Sequence, residues 1–228
     1  MSAPASPPDD GLFERLVPAI RADAMGPGQG WELYERRGAG LELTEDDEGL
    51  RITESRERGL ALRLFKAGRC AFAAAGAAGT HELLEQARQM LPRARTRRGV
   101  RPPSLSPGES ADPHSLRDPA PPDEAAAFEL LTAFRRTLTA AGGGAVQIRE
   151  ASVSVGERRD RLASSGGRDA GWESRAATLV ATVVGRSAAG RYAARVVATA
   201  ARAEDLPVAR LARHAADRVL LPLTGRAL

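Results

Sequence analysis

The chain has 228 residues, of which 43% are hydrophobic, enough to bury one large core or two small ones. One cysteine excludes an internal disulfide, and the absence of a long apolar run or an N-terminal signal peptide excludes a membrane span and predicts a cytoplasmic location. The formal net charge is +4, and Lys66 is the only lysine among 33 basic residues. This predominance of arginine indicates a GC-rich coding sequence more than selection for a basic surface.

The first elements follow a short tail, residues 1–9, which is expected to be disordered. The next residues predict a helix, because apolar residues recur there at helical spacing, and Asp9 or Asp10 can cap its beginning. The apolar residues are Leu12, Phe13, Leu16, Val17 and Ile20. Three strand-like runs follow, "WELYERR", "GLELTEDD" and "GLRITESR", and the acidic residues 45–48 between the last two predict a charged hairpin turn, not a calcium loop.

A hairpin signal comes next. Leucines alternate at positions 60, 62 and 64, the chain turns at Ala67-Gly68, and apolar residues return at Cys70 and Phe72. This pattern predicts two antiparallel strands with Cys70 as a buried, inert thiol, and it places Arg63 on the face opposite the leucines as a solvated charge. Gly59 and Gly68 are predicted to serve strand and turn geometry.

The stretch "THELLEQ" begins a helix and resembles the start of a zinc-peptidase motif. His81-Glu82 would need a second histidine four or five positions after His81, and these positions are Glu85 and Gln86. The other two histidines, His114 and His214, stand alone. The stretch therefore predicts an ordinary helix capped by Thr80, whose apolar stripe is Leu83, Leu84, Ala87, Met90 and Leu91.

Residues 92–122 predict a linker, because eight of the 15 prolines fall there. The segment includes the densest basic cluster, "RARTRRGVR" at 93–101, which has no interleaved aromatic residue. Such a cluster is more typical of a solvated linker than of an arm that binds nucleic acid.

The second half begins with a helix capped by Asp123 and predicted to bury Phe128, Leu131, Phe134 and Leu138, and "AGGG" ends it. Residues 145–157 and 160–174 predict two strands and a loop, and "ATLVATVVG" and "YAARVVATA" predict a hairpin. Asp205 and Pro207 then begin a helix that uses Val208, Leu211, Ala215 and Val219.

The order of elements predicts an α+β fold with two small domains, each a mostly antiparallel sheet flanked by helices. The predicted ranges are 10–91 and 123–228, joined by the Pro/Arg-rich linker 92–122. The glycine-rich stretches precede strands, whereas phosphate loops precede helices, and no nucleophile with a base or metal cluster stands out. The sequence therefore predicts no catalytic residue, metal ligand or cofactor site.

The first half also carries a family pattern, in which acid-rich strands precede Ser55, Arg58-Gly59, Leu62-Arg63, Gly68-Arg69 and Phe72. It resembles the N-terminal domain of the TldD/PmbA metallopeptidase family. The second half resembles the middle domain of that family, with Ser165 and Gly166 matching an "NS.G" pattern in which Ser164 replaces the usual Asn. The positions matched by the resemblance are thus Gly59, Arg63, Gly68, Ser165 and Gly166, with a structural role implied for them.

The resemblance implies a function without catalysis in this chain. In the family, an H-E-x-x-x-H helix of a C-terminal domain holds the metal, and His81-Glu82 does not correspond to it. The resemblance therefore implies an assembly or peptide-binding partner of a catalytic TldD/PmbA-type chain, in a hetero- or homo-oligomer that performs proteolysis or peptide maturation. The alternatives are a residual or inactive peptidase and an arginine-rich protein that binds nucleic acid.

Overall fold

A computed structural model describes residues 11–23, 29–76, 82–96, 119–187 and 190–223. Its helices are α1 (Leu12–Asp23), α2 (Leu83–Met90), α3 (Glu124–Gly142) and α4 (Val208–Leu223). Its strands are β1 (Gln29–Asp46), β2 (Gly49–Lys66), β3 (Arg69–Gly76), β4 (Val146–Ser164), β5 (Asp169–Ser187) and β6 (Gly190–Ala200). The predicted α+β class is confirmed. Among these residues, no helix is long and apolar enough to cross a membrane.

The strands form one sheet in the order β3-β2-β1-β4-β5-β6. The runs "WELYERR" and "GLELTEDD", predicted as separate strands, are a single strand of 18 residues. The intervening Gly40 lies close to β2, since a Cβ at that position would be only 2.7 Å from the Ser55 Oγ. The acidic residues at 45–48 end β1 and form the predicted turn into β2.

The described residues pack into two compact units that are not contiguous in sequence. Unit 1 takes its described residues from the ranges 1–37, 57–118 and 159–173, and unit 2 takes its described residues from 38–56, 119–158 and 174–228. The four long strands β1, β2, β4 and β5 each contribute residues to both units, so the division between the units falls within these strands. The predicted ranges 10–91 and 123–228, in contrast, divide the chain between two consecutive segments of the sequence. The assignment of those ranges to family domains stays a prediction.

Each unit has its own apolar core. In unit 1, α1 and α2 bury Phe13, Ile20 and Leu83 against alternate residues of β1 and β2, including Trp31 and Leu62. The core of unit 2 lies between helices α3 and α4 and the sheet, and its buried members include Leu43, Phe134, Leu179 and Val219. The predicted cap of α3 is confirmed, since the Ala126 amide donates to the Asp123 Oδ1 at 3.0 Å.

Three predicted positions differ from the sequence interpretation. Phe128 was predicted to face inward, but half of its surface (51%) is exposed, because α3 turns Leu131, Phe134 and Leu138 toward the core instead. Met90 is likewise half-exposed, at the last residue of α2. Cys70 is only half-buried, although burial does raise the pKa of its thiol. Thr80, the tail 1–9 and most of the predicted linker lie outside the described residues.

The β2–β3 turn contains a strained residue. Ala67 has a φ of 48° and Gly68 a φ of 74°, the left-handed conformations that a two-residue type I′ hairpin turn requires. Strand pairing places Lys66 opposite Arg69 across this turn. An alanine in that conformation costs about 1 kcal/mol, whereas asparagine tolerates it better.

We therefore expect Ala67→Asn to raise the free energy of unfolding by about 0.5–1 kcal/mol, because Asn-Gly is a favoured type I′ sequence. Urea unfolding monitored by circular dichroism measures this change. The control variant, Gly68→Ala, should lower stability by a similar amount, because it puts a Cβ on the second left-handed residue. A loss of stability in Ala67→Asn would show that this turn geometry is wrong.

Candidate functional site

A cleft of about 680 Å³ lies in unit 1, on the face of β1, β2 and β3 opposite to the one that buries Trp31, Leu33 and Leu62. We call this surface the open face. Its side chains alternate with those of the core: Tyr34 and Arg36 point to the cleft, whereas Trp31 and Leu33 are buried on the other side. The cleft is lined by Glu32, Tyr34, Arg36, Glu57, Gly59, Leu60, Ala61, Arg63, Phe72, Ala74, Ala75, Gly76 and Leu162.

A hydrogen-bonded network built on a buried carboxylate supports one wall of the cleft. Asp160 of β4 has no exposed surface. Its Oδ1 accepts a hydrogen bond from the Tyr34 hydroxyl and one from the Arg36 Nε at 3.0 Å. The Arg36 Nη2 also donates to the Tyr34 hydroxyl at 2.8 Å, and its Nη1 lies 3.7 Å from the Glu57 carboxylate. This network fixes the direction of the guanidinium at the wall of the cleft.

The same network changes the ionisation of Tyr34. Burial, and then the hydrogen bond to the Asp160 carboxylate, raise the pKa of the Tyr34 phenol, although Arg36 acts in the opposite direction. The phenol therefore stays protonated at neutral pH and acts as a hydrogen-bond donor to Asp160. The Tyr34 ring also lies 6.1 Å from the ring of Trp172, a partly exposed residue of β5.

A second wall combines charge and aromatic surface. Arg63 is opposite to the leucines of β2, as predicted, and 57% of its side chain is exposed. Its Nη1 lies 3.3 Å from the Glu32 carboxylate, and its guanidinium is 6.0 Å from the centre of the half-exposed Phe72 ring. The cleft thus offers two carboxylates, two guanidinium groups and apolar surface on the pleated backbone of the strands.

The structure brings two of the five family-motif positions together. Gly59 and Arg63 both line the cleft. Gly59 has no steric need to be glycine, since a Cβ would meet only the Ala75 carbonyl oxygen at 3.5 Å. Gly68 lies instead in the β2–β3 turn, where its positive φ explains why a glycine occupies this position.

Ser165 and Gly166 lie in the turn between β4 and β5. The Ser165 Oγ accepts a hydrogen bond from the Trp31 amide at 3.1 Å, and the Ser165 amide donates to the Trp31 carbonyl oxygen at 2.9 Å. These bonds attach the turn to the beginning of β1. The neighbouring Ser164, which occupies the position of the usual Asn, is buried. The contacts of Ser165 thus hold the backbone of this turn in place.

No group of three or more His, Cys, Asp or Glu side chains is arranged to hold a metal ion within the described residues. His214 is exposed on α4, whereas His81 and His114 lie outside the described part of the chain. The prediction that His81-Glu82 holds no metal therefore stays a prediction.

An open strand edge lies on β2. β3 pairs with β2 only from Gly59 to Lys66, and β1 is the neighbour of β2 on its other side. Residues 49–58 of β2 thus have no partner strand on the outer side among the described residues. Leu50 and Ile52, within this stretch, are about half-exposed. An exposed edge with apolar side chains is a site where another strand can pair.

Sequence reasoning missed the Tyr34–Arg36–Asp160 network. The alternation of Glu32, Tyr34 and Arg36 in "WELYERR" already placed these residues on one face of a strand. The acceptor at Asp160 is 126 residues beyond Tyr34 in the sequence, so only the pairing of the strands shows that they meet.

Comparison with known proteins gives matches of fold only. No protein-family model matches the sequence, and no curated protein matches it significantly. Among solved structures, TldE from Thermococcus kodakarensis matches with a TM-score of 0.75 at 16% identity, over 92% of this chain and 47% of that one. A putative modulator of a DNA gyrase from Thermotoga maritima matches with a TM-score of 0.68 at 13% identity, over 91% and 48%.

A further putative modulator of DNA gyrase, from Bacteroides thetaiotaomicron, has a TM-score of 0.56 at 20% identity, with 91% of this chain and 49% of that one covered. The chain therefore spans about half the length of the solved structures that it matches. The fold expected from the sequence resemblance is confirmed: nearly the whole chain has the fold of part of TldE.

Proposed function

We propose that the chain is a non-catalytic protein of TldD/PmbA type that works as an assembly or peptide-binding partner of a separate catalytic chain. The observation that supports this most is the match to TldE, which extends over 92% of this chain. The proposed location is the cytoplasm, and the proposed activity of the assembly is metal-dependent proteolysis or peptide maturation.

The non-catalytic role rests on a shortage of ligands. A catalytic zinc ion usually takes three protein ligands, drawn from His, Cys, Asp and Glu side chains. The chain has three histidines in total, and the one that the structure describes is exposed on α4 in unit 2. In this proposal, the metal belongs to the partner chain.

Peptide binding is proposed for the cleft on the open face. Extended peptides present alternating side chains and a polar backbone, so they suit an open surface that has both apolar floor and paired charges. The floor here consists of small residues, Ala61 and Ala74, beside the exposed ring of Phe72. Arg36 and Arg63 on the two walls can contact carbonyl oxygens or acidic side chains of a peptide while they keep their carboxylate partners.

We expect Gly59→Leu to weaken peptide binding about tenfold, because the new side chain would occupy the cleft floor. The fold should tolerate it, since a Cβ at position 59 meets only an ordinary contact. Fluorescence anisotropy with a labelled random hexapeptide pool, in the presence of the catalytic TldD-type chain, measures the affinity.

The matched control is Gly144→Leu, which adds the same side chain in unit 2, where a Cβ at this position meets no atom within 4 Å. Cleavage of the same peptides by the mixed chains gives a second readout. Equal peptide affinity in Gly59→Leu and Gly144→Leu would exclude the cleft as the peptide site. Chelator-sensitive cleavage by this chain alone would contradict the non-catalytic role.

A further inference from the structure

A second cleft in unit 1, of about 580 Å³, lies beside the β2–β3 turn and the end of α2. Three basic side chains line it: Lys66, Arg69 and Arg88. Among the described residues, no carboxylate lines it, in contrast to the balanced charges of the first cleft. A concave surface with charge of one sign concentrates ions of the opposite sign.

Arg69 is held in place by uncharged partners. Its Nη1 donates to the Pro92 carbonyl oxygen at 2.8 Å and its Nε donates to the Thr96 Oγ1 at 3.2 Å. Neutral oxygens orient the guanidinium without cancelling its charge, so the positive charge remains available to a ligand. A guanidinium that is already oriented loses little conformational entropy when it binds an anion.

The other two cations add to this charge. No carboxylate within the described residues lies at ion-pair distance from Lys66, which is exposed at the end of β2. Arg88 lies 3.5 Å from Glu85 on the same helix, and both side chains are well exposed, so this pair is weak. Glu85 and the partial negative charge at the end of α2 oppose part of the positive charge on that side.

The basic run noted in the sequence begins at this cleft. Arg93 and Arg95 follow α2 directly and are exposed, and Thr96 of the same segment lines the cleft and binds Arg69. The sequence interpretation of 93–101 as a solvated linker did not connect it with Lys66 or Arg69. The folded chain places the start of the run next to three further cations.

We propose that this cleft binds a phosphate group. The guanidinium of Arg69 and the ammonium of Lys66 supply charged donors, and phosphate accepts several such bonds at once. The lining also includes the apolar residues Phe65 and Leu91, which suit the uncharged part of a phosphorylated molecule. Two sources share this chemistry, a phosphate monoester of a small molecule and the phosphodiester backbone of a nucleic acid.

Isothermal titration calorimetry on the full chain tests the proposal, with inorganic phosphate, adenosine 5′-monophosphate and a single-stranded DNA 12-mer without terminal phosphates as probes. We expect Lys66→Gln to weaken binding about fivefold, Lys66→Arg to leave it nearly unchanged, and Lys66→Gln combined with Arg69→Lys to weaken it further. The control Arg213→Gln removes the same charge from an exposed position on α4 and should have no effect.

The probes also separate the two sources. Binding of adenosine monophosphate at moderate salt, without binding of the 12-mer, assigns a small phosphorylated ligand. Binding of the 12-mer with a steep salt dependence assigns a nucleic-acid backbone. Tighter binding of hexaglutamate than of every phosphate probe would overturn the proposal, as would equal effects of Lys66→Gln and Arg213→Gln. These measurements need no catalytic chain, so they are independent of the proposed function.

Discussion

Phe134→Ala should lower the free energy of unfolding by about 3–5 kcal/mol, the usual cost of removing a buried phenyl ring from a packed core. Phe134 has no exposed surface and packs in the core of unit 2 with Leu131 and Leu138 of α3. The loss combines the lost transfer of the ring from water with the cavity that remains, because the surrounding core can collapse only in part.

Phe128→Ala is the matched control, since it removes the same ring from the same helix. About half of Phe128 is exposed, so the expected loss is below about 1 kcal/mol. Guanidinium unfolding curves of both variants measure the difference. Comparable losses in the two variants would show that α3 is rotated and that the sequence-based assignment of Phe128 to the core was the better one.

Asp160→Leu should cost about 2–4 kcal/mol, because it removes the acceptor from two buried or half-buried donors. The Tyr34 hydroxyl and the Arg36 Nε both donate to Asp160, which is fully buried. The cost is below that of a fully buried ion pair, since 34% of the Arg36 side chain is exposed and can still approach Glu57.

Glu57→Gln provides the control for this variant. The Glu57 side chain is mostly exposed and only 3.7 Å from Arg36, so the expected change is below about 0.5 kcal/mol. We also expect Asp160→Leu to weaken peptide binding at the cleft, because Arg36 loses the bond that directs it. An Asp160→Leu protein as stable as the wild type would mean that Asp160 is not buried against Arg36 and Tyr34.

The same network sets a pH dependence. Burial and the Asp160 carboxylate raise the pKa of Tyr34 in the folded protein above that of the unfolded chain. The folded state therefore holds this proton more tightly, and the resulting stability is complete below about pH 10 and declines as the pH rises through the folded pKa. Phenolate absorbance in a Tyr192→Phe background, which leaves Tyr34 as the only tyrosine, should show a lower pKa in Asp160→Asn.

Local signals in the sequence were sufficient to predict many of the helices, strands and turns of the fold. The Asp123 cap, the Ala67-Gly68 turn and the hairpin of β5 and β6 each depend on residues close together in the chain, and the structure contains all three. Helical spacing also placed Leu211 and Val219 of α4 in the core. The exception is Phe128, which lies at the border of the apolar stripe of α3, where helical spacing alone does not decide whether a side chain is buried or exposed.

Features that depend on distant residues could not be predicted. The buried Asp160 carries no local signal, since its partners are on β1 and the strand order β3-β2-β1-β4-β5-β6 brings them together. The cleft with Lys66 and Arg69 likewise joins a hairpin turn to residues that follow α2. The domain boundary expected from composition in the proline-rich segment stays a prediction, whereas no local signal shows that the long strands contribute residues to both compact units.

Sedimentation-velocity ultracentrifugation of this chain, mixed with a catalytic TldD/PmbA-type chain, most directly tests whether the protein serves as a partner of a metal-bearing subunit. A stoichiometric species heavier than either component, with metal bound only by the catalytic chain, is the result that we expect. Two independently sedimenting proteins at micromolar concentrations, or one equivalent of tightly held zinc on this chain alone, would contradict it.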